Sequence, residues 1–382
     1  MMKKPTRLLF VITGLSAGGA ENMLCRLAIM HQQAGWEVMV ISMTDGGWLV
    51  ERMQAVGVKV LCLHLACRRP LPLVKSLFRL VTVAKKIFNF HANFLQGWMY
   101  HANFFSLFIR LLCPRAAVFW SVRAANVDLA TEKITTAWMI RANSRLARWV
   151  RGTIFNSSNS EMLHREILNF QGVTTVIPNG FDIELFTPCH EKRLQIRQQL
   201  NASADTFLIG MVGRVDPVKN HVGFLTAFAQ IAARFPQAQA VLVGRKAVVD
   251  NQALWALVVE LNLQGRVHLC GEQTKMADWY PAFDLLVNCS FSEAFPNVIG
   301  EAMACEVPCV VTDVGDSAWV VGDTGVVVPV GDTTALQTGM EKLLALSAAA
   351  RVQLGQHARQ RIVENFSLVH IAQQYRTWYA VN

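Results

Sequence analysis

Charge is scarce in this chain: Asp, Glu, Lys and Arg make up 16% of its 382 residues, against 52% hydrophobic. So little charge, without any low-complexity tract, excludes a disordered scaffold, because the apolar content suffices to form packed cores. Nine cysteines are present but no Cys-x-x-Cys, and the nearest pairs, Cys62 with Cys67 and Cys305 with Cys309, lack histidines at zinc spacing. They read as reduced packing residues. No apolar run reaches the roughly 18 residues of a membrane-crossing helix, and no repeat of about 20 to 50 residues appears. The absence of Gly-x-Gly-x-x-Gly after the first strand-like run argues against a nicotinamide-dependent oxidoreductase.

What is present is an alternation of short β-branched runs with helical stretches. A chain of this length exceeds one ordinary core. The first series of runs comprises Leu8 to Thr13, Glu37 to Ser42, Val58 to Leu63, Ala117 to Val122, Thr153 to Asn156 and Val173 to Ile177. The second comprises Phe207 to Val212, Gln239 to Val243, Arg266 to Leu269, Asp284 to Asn288 and Pro308 to Thr312. The pattern predicts an α/β protein of two Rossmann-like, doubly wound domains with parallel sheets. The opening segment, basic residues then Leu8 to Thr13 then Gly-rich, imitates a signal peptide, but the same strand-and-glycine-loop pattern recurs later, so a buried first strand is preferred. The boundary is placed at Ile177-Pro-Asn-Gly-Phe-Asp182, where glycine would tolerate positive φ. The expected division is 1–178, 179–365 and a C-terminal helix over 366–382. That helix, Phe366 to Tyr379, shows Ile371, Tyr375, Trp378 and Tyr379 on its apolar side and could return to the N-terminal domain.

Ligands of open parallel sheets sit beyond the carboxyl ends of the strands, so the loops there are where chemistry is expected. After Phe207 to Val212 comes Gly213-Arg-Val-Asp-Pro-Val-Lys-Asn220, with Arg214 and Lys219 in one strand-to-helix loop. Two cations near a helix start suit a phosphate group; taken alone, the loop could equally be solvated with chance charges. In Ser292-Glu-Ala-Phe-Pro-Asn-Val-Ile-Gly-Glu301, Glu293 precedes a helix start and Glu301 lies on the helix, seven intervening residues apart. Neither acid would bind phosphate, but carboxylates accept from sugar hydroxyls, so Glu301 could hold a ribose and Glu293 a transferred sugar. The turn between them would face a diphosphate.

These segments, with the early Gly18-Gly-Ala-Glu21 and Ile177-Pro-Asn-Gly180, resemble the family-four retaining glycosyltransferases, over nearly the whole chain. The resemblance implies the two-Rossmann (GT-B) architecture, with domains facing across a cleft and a nucleotide-diphosphate sugar, expected to be a UDP-sugar, bound mainly by the C-terminal domain. It implies that Arg214 and Lys219 neutralise the leaving diphosphate, that Glu301 binds the ribose, and that Glu293 contacts the donor sugar. Phe295, Pro296 and Asn297 would offer main-chain contacts, and Gly18 and Gly19 would approach the diphosphate from the N-terminal domain. Arg214, Lys219 and Glu293 are thus the expected catalytic group, with no metal and no cofactor; no Asp-x-Asp motif stands in a suitable loop. Many relatives carry a histidine after the strand matching Ala117 to Val122; here Arg123 stands near that place, able to bind an acceptor phosphate or sugar but a poor base. His101 is the alternative polar residue for the acceptor, though a lone histidine is more often structural.

The charge is also asymmetric. Up to Pro178 there are 21 Lys and Arg against 8 Asp and Glu, a surplus of 13; beyond it 15 face 19, a deficit of 4. An anionic partner for the first half is implied. On an ideal helix Trp138, Arg141, Arg145, Arg148 and Trp149 fall within an arc of about 100°, which suits a membrane headgroup boundary; a packed helix with outward arginines is the alternative. Lys75, Arg79 and Lys86, after Arg68-Arg69, could add a second stripe. No nucleic-acid-binding module is recognisable. The resemblance implies a cytoplasmic enzyme attached peripherally to the inner face of the membrane, working on a glycan or polyprenyl-diphosphate-linked acceptor in surface-polysaccharide assembly. A non-catalytic sugar-nucleotide-binding partner of such an assembly is the alternative.

Overall fold

The computed structural model describes residues 5–382 apart from 17, 45, 66–72, 125–128 and 130–132, and for 73–80 the helix without its side chains. Two compact units emerge, one of Met1–Gly180 with Leu368–Asn382 and one of Phe181–Ser367. The first holds a seven-stranded sheet: β1 (Arg7–Ile12), β2 (Glu37–Ser42), β3 (Lys59–Cys62), β4 (Phe94–Trp98), β5 (Ala117–Val122), β6 (Gly152–Phe155) and β7 (Thr174–Val176). Its strand order is β3-β2-β1-β4-β5-β6-β7. The second holds β8 (Phe207–Val212), β9 (Ala238–Val243), β10 (Val267–Leu269), β11 (Leu285–Asn288), β12 (Cys309–Thr312) and β13 (Val326–Val328), in the order β10-β9-β8-β11-β12-β13. Strand pairing is parallel throughout, for example Leu8 with Val38 and Leu208 with Gln239. In each sheet the order reverses beside the first strand, between β1 and β4 and between β8 and β11, and such switch points are where open α/β sheets bind ligands.

Helices cover both faces of each sheet, so the strands are buried on both sides and read as nearly continuous apolar runs. In β1, Leu8, Phe10 and Ile12 enter one core while Leu9 and Val11 enter the other. That is why the apolar run near the start is a central strand. In the second unit Leu208 serves one core, Ile209 and Met211 the opposite one.

Two strands were not foreseen. Phe94-Leu-Gln-Gly-Trp98 lacks β-branched residues, yet it occupies the switch point as β4. Its Gln96 is buried, donating to the Trp120 carbonyl at 3.3 Å and accepting from the Tyr379 hydroxyl. Gly97 is required by close approach: a Cβ there would lie 2.6 Å from the Cα of Asn103. β13 is an edge strand of three valines set among glycines.

The C-terminal region also differs from expectation. Phe366 ends a helix of the second unit, Ala348–Phe366, and the last helix is Leu368–Val381, in the first unit. Ile371, Tyr375 and Tyr379 are fully buried there, whereas Trp378 is half-buried against Gly152. Gly180 does not take positive φ. It is glycine because a Cβ would stand 2.9 Å from the Cα of Leu368.

Candidate active site

In the second unit the switch point brings two loops together. β8 ends into Gly213, and the neighbouring loop presses so closely that a Cβ on Gly244, held at φ 150°, would sit 2.0 Å from the Gly213 carbonyl oxygen. Asp216 caps the short helical turn Pro217–Lys219 by accepting from the Val218 N–H at 3.1 Å. Its other oxygen accepts from Arg214 at 2.7 Å, and these two contacts hold the Asp216 carboxyl below its usual range, the Val218 N–H first. Asn220, at φ 58°, then caps the helix His221–Arg234 through the Gly223 N–H.

The loop after β11 is stitched to this one. The Phe291 N–H donates to the Val218 carbonyl at 2.8 Å, and the Cys289 thiol to the Asn220 carbonyl at 3.4 Å. Lys219 and Glu293 form an ion pair, and the Ser290 hydroxyl donates to the same Glu293 oxygen at 2.7 Å. Beneath Glu293, Gly315 at φ 54° lets the following segment close: its Cβ would meet the Glu293 carbonyl oxygen at 2.2 Å, and the Asp316 N–H donates to the Ala294 carbonyl at 3.0 Å.

The structure therefore joins Arg214 to Asp216 and Lys219 to Glu293. Both cations are already held by acids, and the partners lie in loops suited to an anion. Phe295 is buried, its ring among Phe181, Phe366 and Trp319 with centroids 6.0–6.2 Å away. Only its main chain belongs to the turn's outer side, where Pro296 precedes the helix Asn297–Ala304. Glu301 lies on that helix, accepting from the Tyr280 hydroxyl at 2.9 Å.

Asp216, Ser290, Tyr280 and His221 were not singled out from sequence. His221 is buried at the first helical position, where desolvation and then Lys219 push its pKa down to about 4; it is neutral at pH 7.

In the first unit, the loop after β1 leads to the helix Gly19–Gln33, with Gly18 at its N-cap. A Cβ on Gly18 would strike the Glu21 carboxylate at 2.2 Å. Gly14, Gly19, Glu21, Met99, Tyr100, His101 and Thr136 line a cavity of about 420 Å³ at the β1/β4 switch point. The Trp98 indole N–H donates to the Ala20 carbonyl at 3.0 Å, tying β4 to that helix start. Met99 holds φ 73°, a conformation costly for a side-chain-bearing residue and commonest at functional sites. Thus Gly19 and His101 share one cavity.

Arg123, expected as an alternative acceptor ligand, is not among the residues lining that cavity. It is 8% exposed. Its guanidinium lies 3.9 Å over the Trp98 ring and donates to Ser121 Oγ at 3.2 Å, to Asn179 Oδ1 and to the Tyr375 hydroxyl. It has no acidic partner among the described residues. A cation buried this way ties the last helix and the Pro-Asn-Gly segment to the end of β5.

The basic face is exposed. Its helix, Ile134–Leu146, ends before a short turn Ala147–Trp149, so the ideal arc is broken, but Trp138 and Trp149 remain 54% and 58% exposed. Arg141, Arg145 and Arg148 are exposed as well. Phe104 packs edge-on against Trp138, Arg148 sits 5.6 Å from the Trp149 ring, and Ile134 protrudes at the start of the same helix. Lys86 is exposed; Arg68 and Arg69, and the side chains of Lys75 and Arg79, lie outside the described residues. Among the described residues no helix is long and apolar enough to cross a membrane, and no three His, Cys, Asp or Glu side chains gather at metal-ligand spacing.

Comparison with known proteins adds to this geometry. Residues 17–185 match the description Glycosyltransferase Family 4, and residues 206–346 match Glycosyl transferases group 1. The N-acetyl-alpha-D-glucosaminyl L-malate synthase of Bacillus anthracis is 32% identical over 187 residues, 48% of each chain. The UDP-Gal:alpha-D-GlcNAc-diphosphoundecaprenol alpha-1,3-galactosyltransferase of Escherichia coli is 26% identical over 204 residues, 51% of each. The chain spans about half the length of these two relatives. HepE of Anabaena, solved in complex with UDP, superposes with a TM-score of 0.83 at 22% identity, covering 99% of this chain and 100% of that one; the likeness establishes a shared GT-B fold.

Proposed function

The chain belongs to the glycosyltransferases, its two halves matching family 4 and group 1, and from that premise we propose that it transfers a sugar, with retention of anomeric configuration, from a UDP-sugar to a glycan acceptor carried on a polyprenyl diphosphate. The observation that carries this reading is the pair of cations on the loop after β8, Arg214 held by Asp216 and Lys219 by Glu293 of the adjoining loop after β11. As the bond from the sugar's anomeric carbon to the β-phosphate oxygen breaks, negative charge grows on the diphosphate, and fixed positive groups there lower the barrier. The acceptor hydroxyl forms the new bond and its proton passes to the leaving phosphate oxygen. Glu293 holds the donor sugar, Glu301 the ribose, and main-chain groups of Phe295 to Asn297 the phosphates. Arg214 and Lys219 supply the charge that a divalent ion would otherwise bring, so activity should survive EDTA.

The UDP bound by HepE and the diphosphoundecaprenol named for the Escherichia coli relative support the donor and acceptor classes. The cavity holding Gly19 and His101 supports an acceptor site in the first unit. The exposed tryptophans and arginines over residues 138–149 support peripheral attachment to an anionic, inner-leaflet surface, at roughly 1 kcal/mol per basic side chain near it. The test is a thermal-shift screen of nucleotide sugars, followed by nucleotide release with lipid-diphosphate glycans. Acceptor-dependent release of UDP supports the proposal. Tight donor binding without release across the panel would make the chain a non-catalytic binding partner instead.

A further inference from the structure

We propose that Tyr280 is a positioning residue for nucleotide recognition, its buried hydroxyl fixing the Glu301 carboxylate in the direction that receives the ribose. The inference rests on the ribose role given to Glu301 above, and adds what makes that carboxylate selective. Tyr280 opens the short helical segment Tyr280–Ala282 that leads into β11. The residue is 0% exposed. Its ring is clamped edge-on by Phe186 and Phe283, with centroids 5.9 Å and 6.2 Å away, inside the core that also holds Ile299 and Met303. A phenol so confined cannot swing out to water, and leaving its O–H without an acceptor would carry the desolvation cost of a buried donor. The acceptor it has is Glu301 Oε2, at 2.9 Å.

Glu301 is only half-buried and sits on the helix Asn297–Ala304, where an unanchored glutamate samples many rotamers and must be ordered when a ligand arrives. Tyr280 removes that freedom beforehand. It does so without competing for the ligand, because an ionised carboxylate has about four acceptor positions and a phenol O–H uses one. Burial, and then the charge of Glu301, push the Tyr280 pKa well above its ordinary value; the group stays a donor. No comparable lock is needed for phosphate, which is held by charge, so Tyr280 should govern the ribose hydroxyls and little else.

The experiment measures Kd by calorimetry for UDP, 2′-deoxy-UDP and 3′-deoxy-UDP with the wild-type chain, Tyr280→Phe, Glu301→Gln and the double variant. Wild type should prefer UDP. Tyr280→Phe keeps the packed ring and should weaken UDP by about three- to tenfold, the worth of one such hydrogen bond, while the deoxy analogues change less, so that the preference for UDP shrinks. A purely structural tyrosine would weaken all three ligands alike, and an unchanged preference would overturn the proposal. So would additivity, with Tyr280→Phe still shrinking the preference equally when Glu301 is already Gln. Should Tyr280→Phe fail to fold, Glu301→Asp withdraws the carboxylate by one methylene from the phenol; full retention of the UDP preference there would also overturn it. A wild type that binds UDP but treats all three ligands equally would defeat the ribose role of Glu301 itself, and the inference with it.

Discussion

Glu293→Gln should separate donor binding from sugar transfer. In the structure Glu293 neutralises Lys219, the cation assigned to the diphosphate. A bound diphosphate must therefore share that lysine with an acid. Two unit charges about 4 Å apart interact by about 4 kcal/mol at an effective dielectric of about 20. The pair is incompletely buried, with side-chain exposures of 30% for Lys219 and 12% for Glu293, so desolvation and solvent screening leave a net effect of about 1–2 kcal/mol. Glutamine has nearly the same shape, and its amide oxygen can still accept from the Ser290 hydroxyl. Removing the charge alone should tighten UDP binding by about five- to thirtyfold. Transfer should slow, because a charged contact to the sugar is lost; hydrogen bonds to charged groups are worth about 1.5–3 kcal/mol, or about 10- to 150-fold in rate. The assay is calorimetric titration with UDP alongside turnover measured by UDP release. Weaker or unchanged UDP binding by Glu293→Gln would refute the idea that Lys219 serves the diphosphate.

Other outcomes follow from the same structure. Burial holds the pKa of His31 down to about 3 and those of His164 and His221 to about 4. Their folded values lie below the unfolded value of about 6.5, so the stability they contribute is complete above pH 6.5 and is lost as pH falls toward 4, at up to about 2 kcal/mol per histidine between pH 6.5 and 5; urea midpoints unchanged from pH 7 to 5 would contradict this. Arg123→Met should cost about 3 kcal/mol in chemical denaturation, since it strands hydrogen-bond partners buried with the guanidinium, and leave UDP affinity intact. Preserved stability with a raised acceptor KM would return Arg123 to the acceptor. Sedimentation with phosphatidylglycerol vesicles should fall when Arg141, Arg145 and Arg148 are changed to Glu and when salt is raised; salt-independent binding would contradict an electrostatic attachment.

Which features were readable in advance follows from the physics of each. β1, β2, β5, β8 and β9 announce themselves because strands buried on both faces are unbroken apolar runs. β4 does not, because its Gln96 and Gly97 answer tertiary needs, an internal hydrogen-bond acceptor and the close approach of Asn103. The two loops assigned to the donor are recognisable since Arg214 with Lys219 and Glu293 with Glu301 are close in sequence. How these charges are partnered is hidden: Lys219 meets Glu293 across 74 positions, a pairing that exists only once β8 and β11 lie side by side, and Tyr280 reaches Glu301 across 21, from the segment before β11 to the helix after it. The partners of Arg123 were hidden for the same reason. Its position after β5 suggested a ligand, and its bond to Tyr375, 252 positions away, could not be read from the sequence.

The central claim is that charge fixed in the second unit grips the donor's diphosphate. Calorimetric titration of UDP into wild type and into an Arg214→Ala/Lys219→Ala variant with an unchanged melting temperature tests it most directly. Two lost charge-assisted contacts, at about 1.5–3 kcal/mol each, should weaken UDP by about 100-fold or more, further opposed by a Glu293 left without its lysine. A doubly substituted chain that binds UDP as tightly as the wild type would contradict the account.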